Sequence, residues 1–234
     1  MKISKIALLF CLVFIGTEGS AQYSRGNYNF MDFQQKPYYF GITLGFNSSN
    51  YKIYRSSEFI NNPNYNAVES IKGPGFNFGI VSNLKVGDYF DIRFLPTLSF
   101  AERNINYNSN LDSLSRRKIE SVFVEMPFHI RYKSAPFNDT RLFVIAGVKY
   151  SFDVASESRA EITEFELVKV SPTDFSVEVG AGAQFFFPYF IFSPEIKFSH
   201  GLGNVLIYNE DLDDSRVIDK ILSRTFTISL HFEG

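Results

Sequence analysis

The sequence lacks tryptophan entirely and contains a single cysteine, Cys11, which lies in an apolar run near the N-terminus. A chain without cysteine beyond that run forms no disulfide, carries no thiol nucleophile and offers a metal no thiolate. Cys11 does not fit a lipoprotein signal, because the large Phe10 precedes it and apolar residues continue after it. The net charge of −2 argues against nucleic acid as a partner.

Long apolar runs are also missing after the first 21 residues, so the sequence predicts no membrane-spanning helix. Residues 1–21 have a basic start, a short apolar run and a small-residue cleavage site at Gly19-Ser20-Ala21. This pattern predicts a secretory signal peptide, with an uncleaved signal anchor as the alternative. Residues 22–37 form a polar lead-in segment, and residues 38–234 are interpreted as one domain without a helix.

What the chain does contain is strict alternation. In "YYFGITLGFN", residues 38–47, every second residue is large and apolar, and the residues between are polar or small. Such a period of two indicates a β-strand with two unlike faces. The same pattern predicts seven further strands, at 76–86, 90–100, 121–132, 141–154, 174–185, 190–199 and 224–232.

The connections between these strands alternate in length. Segments 48–72, 104–118, 156–173 and 201–222 are long and polar, whereas the connections at 87–89, 134–140 and 187–189 are short. Bacterial outer-membrane barrels have short periplasmic turns, long external loops and an even strand number. The sequence therefore predicts an all-β fold, an eight-stranded antiparallel up-and-down transmembrane β-barrel in the outer membrane of a Gram-negative cell.

A soluble ligand-binding barrel would have the same alternation with its faces reversed. The loop alternation, the leader and the apolar ladder of Phe226, Ile228, Leu230 and Phe232 favour lipid on the outside. Aromatic residues at strand ends are expected to form a periplasmic girdle, namely Tyr38, Tyr89, Phe90, Tyr132, Phe187 and Tyr189. Pro96, Pro127 and Pro194 are expected to mark bulges or gaps in pairing.

Charged residues lie on the polar strand faces, which would line the lumen. Counting along the strands brings five of them to similar depth: Glu125, Lys149, Glu178, Glu195 and Lys197. Because an unpaired buried ion is costly, these charges are expected to pair into a structural plug. A proton or ion path is the alternative. An eight-stranded lumen is filled by side chains, so no open pore is expected.

Four cations map near the periplasmic mouth, Lys85, Arg93, Arg131 and Lys133. They are interpreted either as ordinary contacts with lipid headgroups and solvent or as a docking rim for a periplasmic partner.

Support for catalysis or metal binding is sparse. His200 and Ser199 lie near the outer rim, and acids of the loop Asn209 to Asp214 would have to orient the histidine. The same loop lacks the glycine and glutamate spacing of a calcium loop. We therefore predict no catalytic residue, no cofactor and no metal.

Three stretches resemble the PorT/SprT family of outer-membrane barrels: "YYFGITLGFN", "VEMPFHIRYK" and "DFSVEVGAGAQFFFPYFIFSPEIKFSHGLGN". The most specific part is Pro188 to Leu202. The family belongs to the type IX secretion machinery of Bacteroidetes, which exports proteins with a C-terminal sorting domain and supports gliding motility. The resemblance implies an accessory role in protein transport, with other secretion proteins bound through the periplasmic face. A generic small barrel with adhesive or ligand-binding external loops is the alternative.

Overall fold

The structure, a computed structural model, describes residues 28–56, 65–109, 115–154, 169–207 and 218–234. Within these ranges it contains one short helix and eleven strands. Their bounds are α1 Tyr28–Gln34, β1 Tyr38–Arg55, β2 Tyr65–Val86, β3 Phe90–Phe94, β4 Thr97–Ser109, β5 Ser115–Lys133, β6 Thr140–Asp153, β7 Lys169–Val170, β8 Thr173–Phe186, β9 Ile191–Gly201, β10 Leu206–Ile207 and β11 Ile218–Glu233. The predicted signal peptide, residues 1–21, lies outside the described ranges.

The strands close into a ring. Starting from β1, the order is β11, β9, β8, β6, β5, then β3 with β4, then β2, which pairs again with β1. Every pairing in the ring is antiparallel. Each pair but one joins spanning strands that follow one another along the chain, and the closing pair of β1 with β11 joins the first strand to the last. Because β3 and β4 are two halves of one spanning strand, the ring has eight strands. The predicted up-and-down barrel is confirmed.

Burial shows which face points inward. On β1 the apolar Ile42 and Phe46 are 56% and 73% exposed, whereas the polar Thr43 and Asn47 are 2% and 5% exposed. The same alternation runs along β6 and β11. Polar side chains therefore fill the lumen and apolar side chains cover the outside, which excludes a soluble barrel with an apolar interior. The six predicted girdle aromatics are all exposed on the outside.

The three prolines interrupt pairing without shifting it. At Pro96, Ser82 pairs with Phe94 and Gly79 pairs with Thr97, so the register on β2 is the same on both sides of the gap. Pro127 lies in the gap between the pairs Phe94–Phe128 and Thr97–Glu125, and Pro194 lies in the gap between the pairs Gly182–Glu195 and Phe185–Phe192, again without a change of register. Proline has no N–H to donate, which removes one ladder bond but adds no residue. The prolines therefore mark gaps in strand pairing and not bulges.

The short connections and the chain-end strands meet at one end of the barrel. Residues 87–89, 134–139 and 187–190 join strands there, and β1 begins and β11 ends there. Gly87 has a φ of 75°, a conformation that glycine adopts without steric cost. We call this the periplasmic end, following the general rule for such barrels, and the opposite end the outer end.

At the outer end, the strands are longer than predicted. Much of the expected loops 48–72 and 104–118 is strand, because β1 runs to Arg55, β2 starts at Tyr65, β4 runs to Ser109 and β5 starts at Ser115. Polar side chains do not prevent this, since the ladder is made by backbone groups. Parts of the other two expected loops form the strand pair β7–β10.

The lead-in segment, for which no secondary structure was predicted, contains the helix α1. Phe30 and Phe33, three residues apart on one face of α1, are 5% and 4% exposed and pack with Tyr39, Phe186 and Ile191. The helix thus covers the periplasmic end of the lumen. No helix in the described ranges has the length and apolarity needed to cross a bilayer.

Outward residues midway along a strand should tolerate charge worst. Ile42 is the middle of the five apolar outward residues of β1, and Tyr38 is the first. We expect Ile42→Arg to lower the free energy of unfolding by about 2–4 kcal/mol and Tyr38→Arg by about 0–1 kcal/mol. Urea unfolding in lipid vesicles measures both. Equal losses at the two depths would contradict a bilayer centred on Ile42.

Candidate functional site

The lumen is charged but neutral overall. Among the described residues, seven buried carboxylates face seven buried cations; they are Asp91, Glu125, Asp153, Asp174, Glu178, Glu195 and Glu233, with Arg93, Arg103, Arg131, Lys133, Arg141, Lys149 and Lys197. All belong to inward positions of the strands. Buried ions of opposite sign stabilise one another only where they contact, so their pairing decides what the lumen can do.

A central cluster forms around Glu178 on β8. Its carboxylate lies 2.6 Å from His129 Nε2, 3.3 Å from Lys197 Nζ and 3.4 Å from Lys149 Nζ. It also accepts a hydrogen bond from the Ser199 hydroxyl. Lys149 Nζ extends the cluster to Glu125 Oε1 at 2.9 Å. Four of the five residues predicted for the lumen network are therefore brought together.

Gly147 makes this cluster possible. Its register neighbours are His129 on β5 and Glu178 on β8. A Cβ at this position would collide with the Phe128 carbonyl oxygen and with His129. Because glycine leaves that space open, the imidazole and the carboxylate meet across the intervening strand.

A second cluster lies nearer the periplasmic end, and Glu195 belongs to it. Arg93 bridges Glu195 at 2.9 Å and Glu233 at 2.7 Å. Arg131 contacts Asp91 at 2.5 Å and Glu233 at 3.7 Å. The prediction that all five network residues form one group is thus corrected: Glu195 is held by Arg93 and lies 3.5 Å from His231.

The predicted basic rim is not an exposed surface. The side chains of Arg93 and Arg131 have no solvent exposure, and Lys133 binds Asp91 at 2.5 Å inside the lumen. Arg93 lies two residues from Asp91 on β3, and Arg131 and Lys133 are buried at inward positions of β5, so all three side chains point into the lumen. Lys85 is partly exposed, and its ammonium donates to the Phe33 carbonyl of α1. These residues therefore build the floor of the lumen, where a periplasmic protein does not reach the two arginines.

Sequence reasoning missed Glu233 as a lumen residue, and it did not identify His129 and His231 as partners of Glu178 and Glu195. Glu233 follows the last aromatic residue and therefore appeared to lie outside the strand. It continues the inward parity of Ser229 and His231, and its carboxylate also accepts from Ser193 at 3.3 Å. Counting parity to the end of β11 would have identified it.

The helix α1 completes the periplasmic end. Asn29 Nδ2 donates to the Phe186 carbonyl at 3.2 Å, and the Arg141 guanidinium lies 5.2 Å from the centre of the Phe30 ring. Between helix and wall remains a cavity of about 40 Å³, bordered by Tyr39 and Gln184. That volume is room for about one water molecule. In the described part of the chain, α1 and the side chains around this cavity therefore close the periplasmic end of the lumen.

Ser199 and His200 are not arranged as a nucleophile and its base. The Ser199 hydroxyl points inward to Glu178, whereas the His200 ring stacks on the outward Phe198 at 6.4 Å. The two residues thus face opposite sides of β9. The loop from Asn209 to Asp214 lies outside the described ranges. In the part of the chain that is described, no group of three metal-binding side chains occurs.

The family of the chain follows from a match to a known domain. Residues 21–206 match the model of the outer membrane protein beta-barrel domain. The chain belongs to this family. It is a protein of the outer membrane, and the apolar outside of its barrel faces lipid.

Solved structures that match this one include two other outer-membrane proteins. OprG from Pseudomonas aeruginosa shares 10% identity at a TM-score of 0.44, covering 84% of this chain and 93% of OprG. Ail from Yersinia pestis, solved in complex with the heparin analogue sucrose octasulfate, shares 15% identity at a TM-score of 0.36, covering 85% of this chain and all of Ail. A comparison with curated proteins returned no match.

The ion pairs of the central cluster predict that Glu178 stabilises the folded barrel. Removing the Glu178 carboxylate leaves Lys149 and Lys197 with one acid fewer between them. We expect Glu178→Gln to lower the free energy of unfolding by about 3–5 kcal/mol, because a broken buried pair leaves an uncompensated charge. The loss is read from urea unfolding in vesicles. Asp88→Asn, at an exposed carboxylate, is the matched control; an equal midpoint for both variants would refute the structural role of Glu178.

The packing of α1 predicts a local effect. A seven-residue helix is not stable alone, so it depends on its buried rings. We expect Phe30→Ala, which removes about 3–5 kcal/mol of packing, to release the helix while the barrel ladder stays intact. Hydrogen exchange at residues 29–36 should accelerate, whereas exchange in β5 and β6 should not. Met31→Ala, at a side chain 55% exposed, should leave both unchanged; protection of residues 29–36 in Phe30→Ala would contradict the docking.

Proposed function

We propose that this protein is an assembly or scaffolding component of the type IX secretion machinery, which acts through its surfaces and not through its lumen. The observation that carries the proposal is the filled barrel. Glu178 and its partners occupy the centre, and Arg93 with Arg131 and their acids occupy the periplasmic part. A lumen filled by paired charges does not pass folded cargo.

The resemblance to the PorT/SprT family supports the choice of machinery. Its most specific stretch, Pro188 to Leu202, contains β9. The inward residues of this strand supply Glu195 to the periplasmic cluster, and Lys197 and Ser199 to the central one. The most specific part of the likeness therefore includes residues that fill the lumen.

The periplasmic end is the surface through which partners would act. Helix α1 covers the lumen there and presents Met31, which is 55% exposed. The apolar turn residues Phe137 and Tyr189, 75% and 91% exposed, border the same end. Exposed apolar side chains beside a membrane suit contact with lipid or with another membrane-associated protein. Since Arg93 and Arg131 are buried, this surface depends on α1 and the turns.

Deletion of the gene tests the proposal. We expect cargo with C-terminal sorting domains to accumulate in the periplasm, and the intact gene to restore export. Normal export in the deletion strain would refute the secretion role. The assay is a count of such cargo outside the cell, with a periplasmic marker protein to exclude leakage.

A crosslinking experiment tests which end is used. A photoreactive amino acid at Met31 samples the periplasmic end, and one at Tyr54 samples the outer end. We expect crosslinks to another secretion protein from Met31 and none from Tyr54. Crosslinks from Tyr54 alone would overturn the periplasmic assignment.

A second candidate function rests on the outer end. There β1, β2, β4 and β5 extend well past the expected strand ends and remain paired, as in the pairs Tyr51–Ser223 and Arg103–Ile119. A paired extension of this kind can carry binding loops away from the membrane. Adhesion or ligand binding through these extensions fits a deletion strain with normal export and altered surface attachment.

A further inference from the structure

A group of cations lies on the outward face of the barrel at its outer end. Lys52 on β1 has the outward parity of Phe46, since Asn47, Ser49 and Tyr51 point inward. Arg224 on β11 has the outward parity of Phe226. Lys220 pairs directly with the outward Tyr54 and therefore shares its face.

The backbone register brings these cations into one patch across β1 and β11. Asn50 pairs with Arg224, Lys52 with Leu222, and Tyr54 with Lys220. Lys52 therefore lies diagonally between the other two cations. Long side chains in such positions are close enough to contact the same ligand. Its ammonium lies 4.6 Å from the centre of the Tyr54 ring. We call Lys52, Lys220 and Arg224 the outer cation patch.

The patch begins where the apolar outside ends. On β11 the outward series runs from Phe232 through Ile228 to Phe226, and the next outward residue is Arg224. On β9 the same row contains His200, the register partner of Arg224, directly after Phe198. Arg224 therefore lies at the depth where lipid headgroups replace acyl chains, and Lys52 and Lys220 lie one and two outward positions further from the bilayer centre.

No carboxylate neutralises the patch within the described ranges. None of the ion pairs there includes Lys52, Lys220 or Arg224, in contrast to the paired lysines and arginines of the lumen. Asp219 is adjacent to Lys220 in sequence, but it lies at a register shift and forms no ion pair with it. Three cations that begin at the headgroup level and continue outward from it attract a phosphate anion.

The floor of the patch is apolar. Leu222, the direct partner of Lys52, is only 6% exposed although it lies between cations. The chain at Asn204 and Val205 runs along β11 here, with Val205 N donating to the Ile221 carbonyl at 3.0 Å. Because Leu222 is already covered, an amphipathic ligand would place its phosphate against the cations and its acyl chains against the exposed outward residues that begin at Phe226, which is 46% exposed.

We propose that the outer cation patch binds the phosphate group of a phosphorylated glycolipid in the outer leaflet of the outer membrane. Each Lys or Arg near an anionic lipid surface contributes about a fivefold gain in affinity. The three cations together would then favour a phosphorylated over a dephosphorylated lipid by about a hundredfold. This site is independent of the secretion role, since it lies on the lipid-facing side of β1 and β11.

Titration of the folded, full-length protein in zwitterionic detergent with bisphosphorylated lipid A tests the site. Bound lipid is counted by native mass spectrometry, and folding is checked by the heat-dependent shift in gel migration. We expect the wild type to retain lipid A and to lose it when its phosphates are removed. The triple variant K52Q/K220Q/R224Q should lose about a hundredfold in affinity, and Arg224→Gln alone about fivefold.

Two controls decide whether the lipid is held at this patch. Lys36→Gln removes one exposed cation at the periplasmic end and should bind lipid A like the wild type. Inorganic phosphate at the same phosphate concentration should not displace the lipid. Equal binding of phosphorylated and dephosphorylated lipid A, unchanged binding by the folded triple variant, or full displacement by inorganic phosphate would each overturn the proposal.

Discussion

Charge neutrality inside the lumen is the constraint on which the barrel depends. Alternation sends every second residue of each strand inward, so the polar face that water would otherwise cover becomes an interior. Seven buried carboxylates and seven buried cations of the described ranges meet there. Because an unpaired ion in such a space costs several kcal/mol, the strands must close in the register that brings Arg93 to Glu195 and Lys149 to Glu178.

How much the sequence could predict follows from this constraint. A period of two identifies strands and faces without any knowledge of partners, so the eight-stranded ring and the inward position of Glu178 were accessible. Which charged residues pair with one another was harder to predict, because Glu195 and Lys197 are two residues apart on β9 yet belong to different clusters. The outer strand extensions were missed since backbone pairing leaves no trace in polar side chains. The helix α1 was missed although Phe30 and Phe33 have helical spacing, because seven residues make a weak signal.

A filled lumen moves the question of function to the surfaces. The periplasmic end is covered by α1, whose rings pack on Tyr39 and Phe186, and the outer end has paired strand extensions. Between them lies the lipid-facing belt, which ends at the cations Lys52 and Arg224 on β1 and β11. Each surface has its own chemistry, namely apolar turns, paired strand extensions, and cations without an ion pair in the described ranges. This barrel offers three different surfaces for contact, none of which requires passage through its centre.

Glu233, the last residue of β11, pairs with Gly41 on the first strand and supplies carboxylate oxygens to both Arg93 and Arg131. The arginines lie on β3 and β5, which are synthesised long before β11. Until β11 arrives, these two guanidiniums lack the Glu233 carboxylate. The buried charges of the described ranges are therefore balanced only after β11 has paired with β1. A chain cut a few residues before Glu233 would retain every earlier strand and still contain an interior with an excess of positive charge.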